Sequence, residues 1–104
     1  MAPELRAAAE TRLGAYARAL ETADPQLLAV ARPDLSSRQR ERMLEPFREA
    51  TNAATDLRVL RVVQLGSEAQ VVVQRSDVIV GGPSQPSVEE TLRFRHESGE
   101  WVLR

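Results

Sequence analysis

The chain has no cysteine and no lysine, a single histidine, and only one tryptophan, one tyrosine and two phenylalanines. Without cysteine there is no disulfide frame, thiol nucleophile or thiolate metal site, and the redox compartment stays open. One histidine with no cysteine beside it supplies no zinc-type ligand set, so neither a metal nor a cofactor is expected. No apolar run approaches the length of a membrane span or a signal-peptide core, which makes the chain as it stands a soluble one with no membrane partner. Charge of one sign is also missing: basic and acidic residues number fourteen and fifteen, for a formal charge of -1. No long-range field draws in nucleic acid, and none is expected as a partner.

What is present is ordinary for a globular protein. Apolar residues at 42% and charged residues at 28% lie far from the disordered corner of composition space, and 104 residues suffice for one core and one domain over 1–104. All fourteen basic residues are arginine. They are scattered and interleaved with acids, the pattern that a GC-rich bacterial genome produces through codon choice, rather than gathered into an anion-binding fork. A complete chain of this kind is expected in the bacterial cytoplasm; a piece of a membrane kinase would be expected outside it.

Apolar periodicity divides the chain in two. Leu5, Ala9, Leu13, Tyr16 and Leu20 recur at helical spacing from Pro3 to about Glu21, with proline suited to a first turn. "ADPQLLAVA" restarts a short helix, Asp24 as N-cap and Pro25 at the first position, and Arg32-Pro33 ends it. "SSRQRERMLEPFREATNAA" predicts a third helix with a Ser36/Gln39 capping box and a buried stripe of Met43, Phe47, Ala50 and Ala54, kinked or split at Pro46. After Thr55 the period becomes that of strands: "DLRVLRVVQL", "AQVVVQRSDVIV", "VEETLRFRHE" and "EWVLR" read as a four-stranded antiparallel meander. With Ser98-Gly99 as a two-residue turn, His96 faces Trp101 and Phe94 faces Leu103, giving a dry side of Leu92, Phe94, His96, Trp101 and Leu103 and a basic side of Arg93, Arg95 and Arg104. With Gly66-Ser67 as the other turn, Leu60, Val62, Val71 and Val73 share one face and Val59, Val63 and Val72 the other. A strand apolar on both sides wants a second cover, for which a partner subunit is the natural candidate.

The Gly-Pro-rich stretch "VIVGGPSQPSVEE" has the look of an active-site loop. A phosphate cradle needs backbone N–H groups at a helix N-terminus, usually with a lysine nearby. Here a strand follows, lysine is absent, and Pro83 and Pro86 remove two donors, so the stretch reads as a long hairpin connection with Gly81 and Gly82 supplying unusual backbone angles. His96, opposite Trp101 at a hairpin end, reads as a boundary side chain packed on the indole. Glu89 and Glu90 point to opposite faces and form no carboxylate pair. Glu90 shares the dry face with Leu92 and Phe94, where a carboxylate at a cavity rim would serve as a base or hold a cation, or pair with an arginine. Arg75 and Asp77 lie two apart on one strand face. Tyr16 on the first helix's stripe offers a hydroxyl.

Taken in order, "RLGAYARALETADPQLLAVARPDLSSRQRERMLEPF", "VVQLGSEAQVVVQRSDVI" and "EETLRFRHESGEWVLR" resemble the nuclear transport factor 2-like superfamily, in particular bacterial members attached to serine/threonine kinases or standing alone. The matching points are Tyr16 and Leu20 before Asp24, the Arg32-Pro33-Asp34-Leu35 run, Phe47, the Gly66 turn, Arg75 with Asp77, Thr91, and the closing Gly99-Glu100-Trp101-Val102-Leu103. The resemblance implies an α+β cone, three N-terminal helices followed by a curved four-stranded antiparallel sheet wrapped around the first, with homodimers formed through the sheet's outer face. Some relatives are ketosteroid isomerases and polyketide cyclases that use an aspartate or histidine dyad in the cone; here no such aspartate matches and the one histidine sits at a hairpin end. The expectation is a non-catalytic, regulatory or accessory module that dimerises and holds a small apolar or anionic ligand among Tyr16, Leu20, Phe47, Glu90, Leu92, Phe94 and Trp101. The alternative is an isomerase or cyclase with Glu90 or Asp77 as base and Tyr16 as hydrogen-bond donor.

Overall fold

Three helices, α1 (Pro3–Glu21), α2 (Pro25–Ala31) and α3 (Ser37–Arg48), precede four strands, β1 (Asn52–Leu65), β2 (Glu68–Val80), β3 (Val88–Glu97) and β4 (Glu100–Leu103), in a computed structural model that describes residues 3–50, 52–81 and 86–104. The strands form one antiparallel sheet in sequence order, curled into a half-barrel. The fold is therefore the α+β arrangement expected from the change of period.

Local chemistry sets the helix ends. Ala23 takes a left-handed φ of 51° just past α1, and Asp24 then caps α2 by accepting from the backbone N–H of Gln26 and Leu27 at 3.0 and 3.1 Å. The Ser36/Gln39 capping box is present in both directions. Two expectations for α3 fail. The helix runs unbroken through Pro46, which falls in its last turn, and it stops at Arg48 instead of continuing to Ala54. Residues from Asn52 belong to β1, where Ala53 pairs with Ile79 and the Thr55 hydroxyl donates to Asp77 at 2.9 Å; ladder pairing overrides the helix preference of an alanine-rich run. Within the third helix Leu44 is fully buried, while Met43 is only partly so.

The β3–β4 register is the one read from the sequence: Phe94 opposite Leu103, His96 opposite Trp101, Glu97 opposite Glu100. Ser98 and Gly99 both have positive φ, 52° and 84°, as a two-residue hairpin turn requires. Gly66 turns β1 into β2 with φ of 61°. The β1–β2 register departs from the simple count, because a bulge at Leu60 shifts the ladder: Val62 faces Val71, but Val59, not Leu60, faces Val73. Val59 thereby takes the row expected for Leu60, which is left unpaired in the bulge. The connection after β2 begins at Gly81, in a positive-φ turn of 87°, and leads into β3 as expected; Gly82, Pro83 and the two residues after it lie outside the described residues.

The core lies between α1 and the concave side of the sheet and continues under α2 and α3. Along the first half of α1 Leu5 and Ala9 meet Ala69, Val71, Val73, Leu92, Phe94 and Leu103, with Trp101 packed alongside. Along its second half Tyr16, Ala19 and Leu20 meet Leu28, Ala31, Leu44 and Phe47. Burying each large aliphatic or aromatic side chain here contributes about 1.5–3 kcal/mol, so the two clusters hold the helices to the sheet.

Candidate functional site

Where the two apolar clusters meet, the concave face carries ionic side chains. The β2 alternation that turns Val71 and Val73 inward also turns Arg75 and Asp77 inward, and the pairing of Val73 with Glu90 brings that carboxylate into the next row. Tyr16 reaches it from α1. The phenol hydroxyl donates to Glu90, 2.7 Å from Oε1 and 3.0 Å from Oε2, and accepts from Arg75 Nη1 at 2.7 Å. Its oxygen also lies 3.3 Å from the Met43 sulfur. Arg32 comes from the C-terminal end of α2: its Nη1 is 3.5 Å from Glu90 Oε2, while Nε and Nη2 form a fork on the two Asp34 oxygens at 2.9 and 2.8 Å. Both guanidinium groups flank the Tyr16 ring, centred 5.0 and 6.0 Å from it.

Glu90 thus has both oxygens occupied, by Tyr16, Arg75 and Arg32, and its side chain is 17% exposed. Arg32 is buried to 4% exposure, the only charged residue in the core among the described residues. Arg75 Nε lies 3.2 Å from Asp77 Oδ2 but out of bonding alignment, and it is a buried donor without a hydrogen-bond partner; the ion pair is real in charge and poor in direction. Two arginines against Asp34, Asp77 and Glu90 leave the cluster with one negative charge in excess.

Electrostatics follow the geometry. Burial, helped by the adjacent Glu90 carboxylate, pushes the Tyr16 phenol well above its ordinary range, so it stays a proton donor. Burial opposes the charge on Arg32, but the Asp34 fork and the carboxylates around it outweigh that and hold the guanidinium more firmly protonated. Arg75 behaves the same way, burial being outweighed by Tyr16, Glu90 and Asp77. Partial burial would raise Asp34, yet the Arg32 hydrogen bonds win and hold it below the usual carboxylate range.

Of the seven side chains expected to line a ligand pocket, Tyr16 and Glu90 touch directly. Leu20 and Phe47 join Tyr16 in the cluster under α2 and α3, whereas Leu92, Phe94 and Trp101 belong to the one around Leu5 and Ala9. Six of the seven are thus shared between two packed clusters, and Glu90 belongs to the ionic group where they meet. His96 is exposed and stacks on Trp101, ring centroids 5.0 Å apart. Sequence reasoning missed Arg32 as an inward-facing ion. The signal was there: Arg32 follows Leu28 by four residues, and so continues the buried face of α2.

The convex face presents a different surface. By register its rows run Arg61, Val72, Thr91; then Val63, Gln70, Arg93; then Leu65, Glu68, Arg95, Val102. Five arginines (Arg58, Arg61, Arg93, Arg95, Arg104) and five carboxylates (Asp56, Glu68, Glu89, Glu97, Glu100) share it. Ion pairs join Arg61 to Glu89, Arg95 to Glu68 and Arg104 to Glu97. A groove of about 410 Å³ opens at the Gly66 end, lined in part by Val63, Leu65, Arg93, Arg95 and Arg104. The side expected to be basic is therefore balanced in sign. No protein-family model matches the chain, and no curated protein is significantly similar to it.

Proposed function

We propose that the chain is a non-catalytic assembly module of the nuclear transport factor 2-like kind, a homodimer formed through the convex face of the sheet, serving as a regulatory or accessory domain. The observation that carries this reading is the division of labour between the two faces. On the concave side every strong acid or base is tied to a partner within the chain: the Tyr16 proton points at Glu90, and Glu90 is held by two guanidinium groups. A general base must reach a substrate proton, and this one is enclosed by its own counter-charges. On the convex side Val63 and Leu65 are exposed among charges of both signs.

A face with five charges of each sign suits a second copy of itself, because an isologous contact sets every arginine-rich region against an identical, sign-balanced surface. Its size also fits. Strands of 14, 13, 10 and 4 residues, spaced as in any sheet, give the face roughly 650 Å², near the ~800 Å² per partner of a standard stable interface. Sedimentation equilibrium tests it: the expected mass is twice the 11.6 kDa of one chain at tens of micromolar, and a monomer at millimolar concentration overturns it.

One observation favours the isomerase or cyclase alternative, namely the direct contact of Glu90 with Tyr16 at 2.7 Å on the concave face. The same contact counts against a ligand bound there, since the hydroxyl and both carboxylate oxygens are already engaged. Native mass spectrometry after gentle purification separates the readings: a small molecule retained by the wild type and lost in Glu90→Gln would support ligand binding in the cone.

A further inference from the structure

Resting on the convex-face dimer, we infer that the Gly66 turn of each copy is a plug for the groove of the other: Leu65 enters the partner's groove, and Glu68 beside it meets the partner's Arg93. Leu65 is the most exposed large aliphatic side chain among the described residues, at 76%, and it is the last residue of β1 before the turn. Its cross-strand neighbour is Glu68, so the tip of this hairpin displays an apolar group and a carboxylate side by side on one face. Leu65 and Glu68 themselves line one part of the groove, and Val63 with Arg93, Arg95 and Arg104 lines another. The space the partner's Leu65 would enter is therefore bounded by this chain's own Leu65, an apolar neighbour and an arginine wall. Arg93 is the one groove arginine that has no ion pair among the described residues, since Arg95 lies 3.4 Å from Glu68 Oε1 and Arg104 is paired with Glu97. The second Glu68 oxygen makes no ion pair among the described residues and is the one offered to the partner's Arg93.

Knob and hole occupy the same patch of the same chain. A two-fold contact needs that arrangement, because whatever residue i of one copy does to residue j of the other is repeated in reverse. At about 410 Å³ the groove has space for a leucine side chain together with the carboxylate beside it. The turn that carries the plug is also firmly held: the His96 backbone N–H donates to the Ser67 carbonyl at 2.7 Å, which fixes the tip against β3 before any partner arrives. A pre-ordered tip loses little freedom on docking.

The test uses the full chain and sedimentation velocity over a concentration series, with circular dichroism as the check on folding. Leu65→Asp removes two plugs per dimer and is expected to raise the dimer dissociation constant at least a hundredfold, with the melting of the monomer almost unchanged because the side chain is exposed. Val30→Asp, also well exposed at 63% but on α2, is expected to leave the dimer intact. Arg93→Glu should weaken association about tenfold or more, and Arg93→Glu combined with Glu68→Arg should restore most of it. A wild type that never dimerises overturns the convex-face reading itself. A wild-type dimer that Leu65→Asp and Arg93→Glu leave untouched overturns the plug while that reading stands, and so does failure of the charge exchange to restore association.

Discussion

Replacing Tyr16 by phenylalanine removes one oxygen from the centre of the buried ionic cluster and leaves the ring, its two flanking guanidinium groups and its apolar contacts in place. The lost hydroxyl donates to Glu90 at 2.7 Å and accepts from Arg75 at 2.7 Å. Hydrogen bonds to charged groups contribute about 1.5–3 kcal/mol each in net terms. Phenylalanine recovers part of this, because burying a hydroxyl costs desolvation and Arg75 still has Glu90 at 3.4 Å. The expected loss is about 2 kcal/mol. Glu90→Gln preserves shape but takes the shared counter-charge from Arg32 and Arg75; with 17% of the side chain exposed, water offsets some of the deficit, and the loss is also about 2 kcal/mol, below the 3–5 of a fully buried pair. If the two side chains act through one another, the double variant loses about 1 kcal/mol less than the sum. Urea unfolding followed by circular dichroism reads all three, and each single change should lower the midpoint by about 1 M. Were Tyr16→Phe to cost less than about 0.5 kcal/mol, or the two changes to add without coupling, the phenol would be only a neighbour of the ion cluster and not its keystone.

Asp34 supplies a pH-dependent prediction: its carboxyl titrates lower in the folded chain than unfolded, through the Arg32 fork, so its stabilisation is complete above the unfolded value of about 3.9 and fades as pH falls through the folded one. The gap in urea midpoint between wild type and Asp34→Asn should therefore be constant near neutrality and close below about pH 4; a gap independent of pH would refute the ionic account. The glycines offer a paired test by thermal melting. Gly14 sits mid-helix on the exposed face of α1 with open space around its Cα, so Gly14→Ala should stabilise by about 0.8–1 kcal/mol, while Gly66→Ala, with equal space but φ of 61°, should destabilise by about 1 kcal/mol.

Most of the architecture was legible because its signals are local and periodic. The leucine–alanine stripe of α1, the Asp24 and Ser36 caps and the Ser98-Gly99 turn each act within a few residues, and all appear as read. The overrun of α3 into residues 52–54 came from a segment whose helix preference is genuine but yields to pairing with Ile79 and Val78, partners far along the chain. The bulge at Leu60 was invisible for a similar reason: "RVLRVV" alternates well enough either way, and only the curl of the sheet selects where the extra residue goes. In the candidate site, Tyr16, Glu90, Arg75 and Asp77 could be singled out one by one from strand and helix faces. That they form one cluster with Arg32 and Asp34 depends on how α2 sits across α1, and no spacing in the sequence encodes that crossing.

The extra residue at Leu60 also bears on how the protein avoids its own polymerisation. β1 is an outermost strand, and an unbroken rail of such length would offer its unpaired amides and carbonyls to any passing chain, as amyloid templates do. The irregularity throws the rail out of step partway along, leaving residues 52–59 and 61–65 as separate short docking tracks. Sideways addition of one copy's edge to another's, a growth mode that has no end, is thereby disfavoured.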